Sequence, residues 1–277
     1  QQQVYDLLAN NEAARQVDWQ GLYDVNRASN ATIYNVDGIP GNTVSGRRSY
    51  YIQQERVTNA RRINFNTVLN TRLNNHIDLT AGLSFQSLKN NNFERVADLL
   101  GGEFYVDLNQ FAERDYPSDQ NAIQNDLNRP NRILHVGDKY GYDYDININK
   151  PAEWLQLVFK FNKVDFFVAG EASQTQFYRV GHVQNGLFPD NSFGKSKVNI
   201  FTNYAVKGGI TYKVNGRNYL YVNGAILTRA PYYDNAYISP RTRDLLQDSL
   251  RSEFVQTAEA GYILNAPKVK VRISGYY

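Results

Sequence analysis

Apolar and polar residues alternate one by one along most of this chain, a pattern typical of β-strands whose two faces meet different surroundings. In the segment Trp154–Arg179, two such runs meet at Asn162-Lys163. The odd-numbered positions from 155 to 161 carry Leu or Phe, and the even-numbered positions from 164 to 172 are apolar or small. Asn at a short connection between two alternating runs predicts an antiparallel hairpin.

The same pattern predicts three further hairpins, and every other connection between strands is long. The four short turns lie near residues 74–76, 162–163, 215–216 and 265–267. The long loops cover about residues 89–137, 180–197 and 230–250. On the strand predicted for Tyr140–Phe161, the alternation changes phase at Lys150-Pro151, and a β-bulge is expected to absorb the shift.

Short helices are predicted only outside the strands. In the loop-like residues 1–46, they are expected at Val4–Arg15 and, after Asp18 as N-cap, at Trp19–Arg27. In the first long loop, they are expected at Glu94–Leu100, Leu108–Arg114 and Asp119–Asn128, the last with Ser118 as its cap. A loop of this length in a compact domain is usually functional or disordered, and the helix signals favour an ordered one.

The two faces of the predicted strands differ in charge, and the apolar face carries almost none across its middle. The charges assigned to the polar face are Arg72, Asp143, Asp145, Lys160, Asp165, Glu171, Lys207, Lys213, Glu259 and Lys270. Short turns at one end, long loops at the other and aromatic residues beside the turns are typical of an up-and-down transmembrane β-barrel. The alternative is a soluble antiparallel sheet whose apolar face packs on a core.

Composition narrows the function classes. With 30 Lys and Arg against 27 Asp and Glu, the charge is close to balanced, so nucleic acid is not an expected partner. The absence of Cys excludes disulfides and is compatible with an oxidising compartment. The absence of Met predicts a processed product or a fragment. A mean hydropathy of −0.55 argues against a helical membrane protein but is compatible with amphipathic barrel strands.

Several segments resemble the barrel region of TonB-dependent outer-membrane receptors, in particular the large versions of Bacteroidota-type bacteria. They are DLLGGEFYVDLNQFAERDYP (98–117), NDLNRPNR (125–132), YDYDININK (142–150), VDFFVAGEAS (164–173), GLFPDNSFG (186–194), SPRTRD (239–244) and SEFVQTAEAGY (252–262). The resemblance implies a location in the bacterial outer membrane. It also implies an all-β, antiparallel fold that supplies about eight strands of a barrel of roughly 22 strands, with long extracellular loops.

The resemblance further implies a division of the chain and a set of partners. Residues 1–46 would be an extracellular loop region and residues 47–277 a partial barrel, without the family's TonB box and plug domain. The implied partners are outer-membrane lipid, the rest of the barrel with its plug, the inner-membrane TonB complex and a surface lipoprotein. The implied function is import of a solute that binds at the extracellular loops.

Two other functions stay open from the residues themselves. One is a passive outer-membrane channel or a small closed barrel, and the other is a soluble β-protein that binds a ligand. An enzyme is not expected, because His76, His135 and His182 lie in turns or loops without the partners of a zinc site or a catalytic triad. No cofactor and no metal site are therefore predicted.

Candidate ligand contacts lie in the long loops and on the polar face. Aromatic side chains beside amide and charged groups are suited to stacking on a ligand and hydrogen bonding to it. The candidates are Asp143, Asp145, Tyr232, Tyr233, Tyr237, Phe104, Tyr105 and Arg114. Asp143 and Asp145 are two residues apart and were assigned to one strand face, where a pair of carboxylates could also be ordinary solvated lining.

Overall fold

A computed structural model describes residues 2–277 of the protein. The amino-terminal region contains α1 (Gln2–Asn10), a 3-10 turn (Ala13–Arg15), α2 (Trp19–Ala28), β1 (Asn30–Tyr34), a second 3-10 turn (Val36–Gly38) and β2 (Thr43–Arg47). It is followed by β3 (Gln53–Asn74), β4 (Ile77–Asp98), β5 (Tyr105–Val106), α3 (Gln110–Asp115), β6 (Ile133–Leu134), β7 (Lys139–Lys160) and β8 (Val164–Gly181). The last elements are β9 (Gly194–Lys195), β10 (Asn199–Lys213), β11 (Asn218–Arg229), α4 (Tyr233–Ala236), β12 (Glu253–Asn265) and β13 (Lys270–Tyr276).

One large antiparallel sheet dominates the structure, so the all-β class predicted from the alternation is confirmed. Its strands lie in chain order, β3-β4-β7-β8-β10-β11-β12-β13, and the short β9 pairs with β8. Four short turns close the hairpins β3-β4, β7-β8, β10-β11 and β12-β13 at the predicted places. The long connections therefore all leave the opposite end of the sheet.

The short helices follow the predictions only in part. Helix α2 begins after Asp18, whose Oδ1 accepts a hydrogen bond of 2.9 Å from the Gly21 N–H, as the N-cap pattern predicted. The helix predicted at 94–100 is wrong, because β4 continues to Asp98 and pairs with β3 as far as Asp98 and with β7 as far as Arg95. The helix predicted at 119–128 is also wrong, because that segment folds as turns.

The predicted β-bulge at Lys150-Pro151 is wrong as well. The pairing of β7 with β4 runs without a shift from Ile77↔Phe159 to Phe93↔Asp143, and the irregularity lies between Phe93 and Glu94. Because the side-chain period of a strand is two, an unbroken register places Asp143 and Asp145 on the same face as Leu155 and Leu157. Asp143 and Asp145 are therefore not on the polar face to which the sequence had assigned them.

The two faces of the sheet have different surroundings. The belt face carries Leu155, Val168 and Val222, which are about half exposed. The opposite loop face carries Tyr144 and Ile146, which are buried because the long loops pack on them. The apolar residues of the upper half of β7 turn toward the loops, and its carboxylates turn to the other side. The phase change in the sequence at Lys150-Pro151 thus reverses the polarity of the two faces halfway along the strand, and the loops cover the apolar residues of the upper half.

Three large aromatic side chains on the loop face lie on glycines of the neighbouring strand. The pairs are Trp154 with Gly82, Phe167 with Gly209 and Tyr221 with Gly261, each directly opposed in the register. In each pair, a Cβ added to the glycine would come within 3 Å of the aromatic side chain. The glycines thus let the rings lie against the wall of the sheet, which is the stabilising use of glycine beside an aromatic residue.

This packing predicts the effect of adding one methyl group. Gly82→Ala is expected to lower the free energy of unfolding by about 1–3 kcal/mol, because the Trp154 indole must move. Gly170→Ala is the matched control, since the nearest atom to its added Cβ is the Ala205 carbonyl oxygen at 4.0 Å. Chemical unfolding of both variants tests the prediction. Equal stability of the two variants would contradict the assigned packing.

Candidate ligand-binding site

A pocket of about 500 Å³ opens where the upper ends of three strands meet the loops that cover the loop face. We call it the loop pocket. Its lining residues are Tyr50, Tyr51, Ile52, Gln54, Arg56, Glu94, Tyr105, Leu108, Asn109, Gln110, Phe111, Asn125, Tyr140, Gly141, Tyr142, Asn185, Arg241 and Thr242. Aromatic rings beside a few convergent polar groups form the usual lining of a small-molecule site.

The strand side of the loop pocket is polar and charged. Arg56 on β3 lies 3.8 Å from the Glu94 carboxylate on β4, and the Tyr140 hydroxyl on β7 is hydrogen-bonded to the Gln54 side chain. Burial raises the pKa of Glu94, against the effect of Arg56 and Arg241 nearby. Burial also raises the pKa of Tyr140, with a further contribution from Glu94, so its hydroxyl keeps its proton at neutral pH.

The loop side of the pocket is set by the start of α3. The Asn109 side chain accepts hydrogen bonds from the N–H groups of Phe111 and Ala112, at 3.1 and 3.2 Å, and so begins the helix. Gln110 then reaches back, and its Nε2 donates to the Tyr105 hydroxyl at 3.1 Å. The Tyr105 ring packs edge-on against Tyr140, with 5.7 Å between ring centroids, which joins the loop side to the strand side.

The third side of the pocket comes from the loop between β11 and β12. The Arg241 guanidinium lies over the Tyr142 ring, 5.3 Å from its centroid. Among the residues that the structure describes, no carboxylate comes within 4.0 Å of this guanidinium. Arg241 is exposed, so its charge is available at the mouth of the pocket.

Buried polar side chains hold the surrounding loops in place. The Asn26 side chain, fully buried, donates to the carbonyl oxygens of Tyr51, Leu99 and Leu100 and accepts from the N–H groups of Tyr50 and Tyr51. It thereby ties α2 to the strand-connecting segments on two sides of the pocket. A buried amide with its donors and acceptor satisfied costs little, whereas its loss would leave several backbone groups without partners.

A second buried group, Arg179 on β8, anchors the other loops. Its Nε donates to the Pro240 carbonyl at 2.7 Å, and its Nη1 donates to the Ser192 carbonyl at 2.6 Å. Its guanidinium also lies over the Tyr144 ring, 5.2 Å from the centroid. Burial lowers the pKa of Arg179. Because Pro240 directly precedes Arg241, this anchor positions the third side of the pocket.

Behind the pocket, Asp107 is buried and joins the loop to β7. Its Oδ1 accepts from the Gly141 N–H at 3.0 Å and from Asn125 Nδ2 at 2.8 Å. Burial raises the pKa of Asp107, because these hydrogen bonds and the more distant Arg132 do not offset the loss of water. This carboxyl group is thus a structural element of the wall rather than an exposed ligand contact.

The residues predicted as ligand contacts do not form one site. Tyr105 lines the loop pocket. Phe104 and Tyr237 are buried, Tyr237 in a cluster with Tyr144 and Phe177, so neither presents a surface to a ligand. Tyr233 accepts a hydrogen bond of 3.1 Å from Asn90 Nδ2 and packs on the same cluster. In these loops, aromatic side chains mostly serve packing.

The other predicted contacts are exposed or lie on the belt face. Arg114 on α3 is paired with Asp115 at 2.7 Å and lies outside the loop pocket, and Tyr232 is exposed beside Arg229. Asp145 is bound by Lys89 at 2.8 Å and His182 at 3.0 Å, and Asp143 by Lys139 at 2.8 Å. Burial would raise the pKa of Asp145, but hydrogen bonds from Lys89, His182 and Asn91 hold it below its usual range.

Sequence reasoning missed most of the pocket residues, among them Tyr50, Tyr51, Arg56, Tyr142 and Arg241. They come from segments far apart in the chain, and the strand phase assumed for β7 gave Tyr142 no role in binding. The signal that could have found them is the high content of Tyr, with 21 residues, at the ends of strands rather than in the loops alone.

Comparison with known proteins gives no relative: no protein-family model and no curated protein matches the chain. Among residues 2–277, no helix is long and apolar enough to cross a membrane. In the same described range, no group of three or more His, Asp or Glu side chains is arranged to hold a metal ion.

The buried Asp107 predicts a pH-dependent effect of substitution. A carboxyl group with a raised folded-state pKa contributes stability at low pH that is lost as the pH rises through that pKa. Asp107→Asn keeps an oxygen for Gly141 and Asn125 but carries no charge at any pH. We expect its melting temperature to exceed that of the parent protein at pH 7–8, by a margin that shrinks toward pH 4.

The matched control for that prediction is Asp115→Asn. The hydrogen bonds that the Asp115 carboxylate accepts from Arg114 lower the pKa of Asp115. The contribution of Asp115 to stability therefore has the opposite sign and is lost as the pH falls. Asp115→Asn should not raise the melting temperature at pH 7–8. A pH-independent difference between Asp107→Asn and the parent would contradict the assignment of a buried, raised-pKa carboxyl.

Proposed function

We propose that this chain is a segment of an outer-membrane β-barrel transporter that binds its solute at the loop pocket and imports it with energy from TonB. The observation that carries the membrane part is the belt face. Its apolar residues stay in one continuous register across eight strands, and many of them, such as Leu155, Val168 and Val222, are about half exposed. An exposed apolar surface of this extent on a soluble monomer would be unusual, whereas lipid solvates it favourably.

The composition of the belt face supports lipid as its surroundings. One row across the sheet consists of Thr71, Leu79, Leu157, Val168, Gly208, Gly224 and Ala258. Glu153, near the upper margin, interrupts the apolar character. Above that level the same face becomes polar, with Lys89, Asn147 and Asp145. A change from apolar to charged side chains along one face is expected where strands leave the hydrocarbon and enter water.

The loop face supports a water-filled interior. Toward the short turns it carries ion pairs, including Lys160 with Asp78, Lys213 with Asp165 at 2.7 Å, and Arg272 with Glu259 at 2.8 Å. Charged groups need water or a polar neighbour, and in a wide barrel the lumen provides both. The loop pocket lies on this face at the end away from the short turns. A solute bound there would already be at the mouth of the lumen.

The TonB-dependent part of the proposal is supported by the resemblance of segments such as VDFFVAGEAS (164–173) to that class of receptors. A barrel of roughly 22 strands also explains how an eight-strand sheet can belong to a closed wall. Both edge strands of the sheet would then pair with further strands. In hydrocarbon this pairing is obligatory, because free backbone N–H and C=O groups cost several kcal/mol each.

Two experiments test the proposal. Washed membranes are extracted with alkaline carbonate, and the protein should stay in the pellet until detergent is added. Release without detergent would favour a soluble, ligand-binding β-protein. Uptake of the solute by cells is then measured before and after the proton-motive force is collapsed. Uptake that persists would favour a passive channel over a TonB-dependent transporter.

The belt face predicts a large effect of charge at its centre. Val168→Arg is expected to cost about 2–4 kcal/mol and to impair assembly, because an arginine at the bilayer midplane is poorly solvated. Thr257→Arg is the matched control: Thr257 is exposed on the loop face and lies beside Ala258, which is in the same row as Val168. Folding yields in lipid vesicles give the measurement. Equal yields for the two variants would contradict the assignment of the faces.

A further inference from the structure

The positive and negative charges that line the loop pocket do not cancel. Its charged lining consists of Arg56, Glu94 and Arg241. Arg56 and Glu94 lie 3.8 Å apart and largely compensate each other. Arg241 remains, an exposed guanidinium without a carboxylate within 4.0 Å among the described residues. The pocket therefore presents one positive charge that the protein does not neutralise.

Arg241 is also held by backbone contacts on both sides. The Pro240 carbonyl accepts from the buried Arg179, and the Thr242 N–H donates to the Ser239 carbonyl at 3.1 Å. Two residues further on, the Asp244 N–H donates to the Asn191 carbonyl at 2.8 Å. A guanidinium on an anchored backbone and stacked over Tyr142 has lost much of its freedom before a ligand arrives. Such preorganisation reduces the entropy cost of binding.

The rest of the lining suits a ring. Tyr50 and Tyr51 at the mouth are 49% and 48% exposed, and Phe111 is 72% exposed. Guanidinium groups lie over one face of Tyr50 and of Phe111, which leaves the Tyr51 ring and the uncovered faces of the other two rings for stacking. The side-chain amides of Gln54 and Gln110 also line the pocket and offer hydrogen bonds. These groups can recognise a flat or apolar ring face whose edge carries polar substituents.

We propose that the loop pocket selects a ligand in which a carboxylate is attached to a ring, with Arg241 binding the carboxylate. This inference rests on the proposed binding function of the pocket and specifies its ligand chemistry. One guanidinium fork matches one carboxylate by two parallel hydrogen bonds. A doubly charged phosphate would meet the Glu94 carboxylate with only one uncompensated cation opposite it. The ring is a sugar ring, as in a uronic acid, or an aromatic ring.

Binding to the purified, full-length protein in detergent tests the proposal, with calorimetry as the readout. Galacturonate is compared with neutral galactose, and indole-3-acetate with neutral indole-3-acetamide. At least one acid should bind more tightly than its neutral counterpart by about 10- to 100-fold, the range of a charge-assisted hydrogen-bond pair. Which acid binds distinguishes a sugar ring from an aromatic ring. Equal binding of acid and neutral forms, or no binding of either acid at millimolar concentration, would overturn the proposal.

Variants of the arginine locate the effect. Arg241→Gln should abolish the preference for the acid, and Arg241→Lys should restore only part of it, because an ammonium cannot form the two-bond fork. Arg129→Gln, in an ion pair with Asp37 outside the pocket, is the control and should bind like the parent. An unchanged preference in Arg241→Gln would overturn the proposal, and equal melting temperatures of Arg241→Gln and the parent show that a lost preference does not come from misfolding.

Failure of this inference and failure of the proposed function have different signatures. A protein that resists carbonate extraction but shows no preference for acids would retain the transporter proposal and lose the assignment of Arg241. A protein that leaves the membrane in carbonate yet prefers acids through Arg241 would retain the pocket assignment and lose the transporter.

Discussion

Unbroken strand register is the constraint on which the rest of this structure depends. Because side chains alternate with a period of two, the pairing of β4 with β7 from Ile77↔Phe159 to Phe93↔Asp143 decides the surroundings of every residue between them. It places Leu155 on the belt face and Trp154 on the loop face. Tyr142 lies just beyond this stretch, at the irregularity, where its ring is under the Arg241 guanidinium. A slip of one residue would exchange the two faces and remove both the apolar belt and the loop pocket.

The loops depend on a second constraint, which is that buried polar groups must have partners. Asn26 and Arg179 are buried side chains far apart in the chain, and each satisfies several backbone carbonyls of segments without regular structure. In this way the loops acquire a defined shape, although few of their backbone groups belong to helices or sheets. The position of Arg241 follows from that shape, since its neighbour Pro240 is bound by Arg179.

Local signals predicted the hairpins well, because their information lies within a few residues. The turn at Asn162-Lys163 and the N-cap at Asp18 are decided by short-range chemistry, and both occur where the sequence placed them. The helix expected at 94–100 failed because pairing with two neighbouring strands outweighs a weak helix preference. Of the eight predicted ligand contacts, Tyr105 lines the pocket, since the loop that carries it also packs on Tyr140.

The sequence by itself determined the strands, their short turns and the presence of one apolar and one polar side on each hairpin, because these follow from alternation and turn chemistry. Tertiary structure decided which side of each strand is exposed and which side is covered by loops. Near the short turns the apolar side is the exposed belt face, whereas higher on β7 the apolar Tyr144 and Ile146 are on the opposite side, covered by loops. The local sequence of a strand does not determine whether a distant loop will pack over one of its faces. The loop pocket has the same origin, because segments more than 100 residues apart in the chain form its walls.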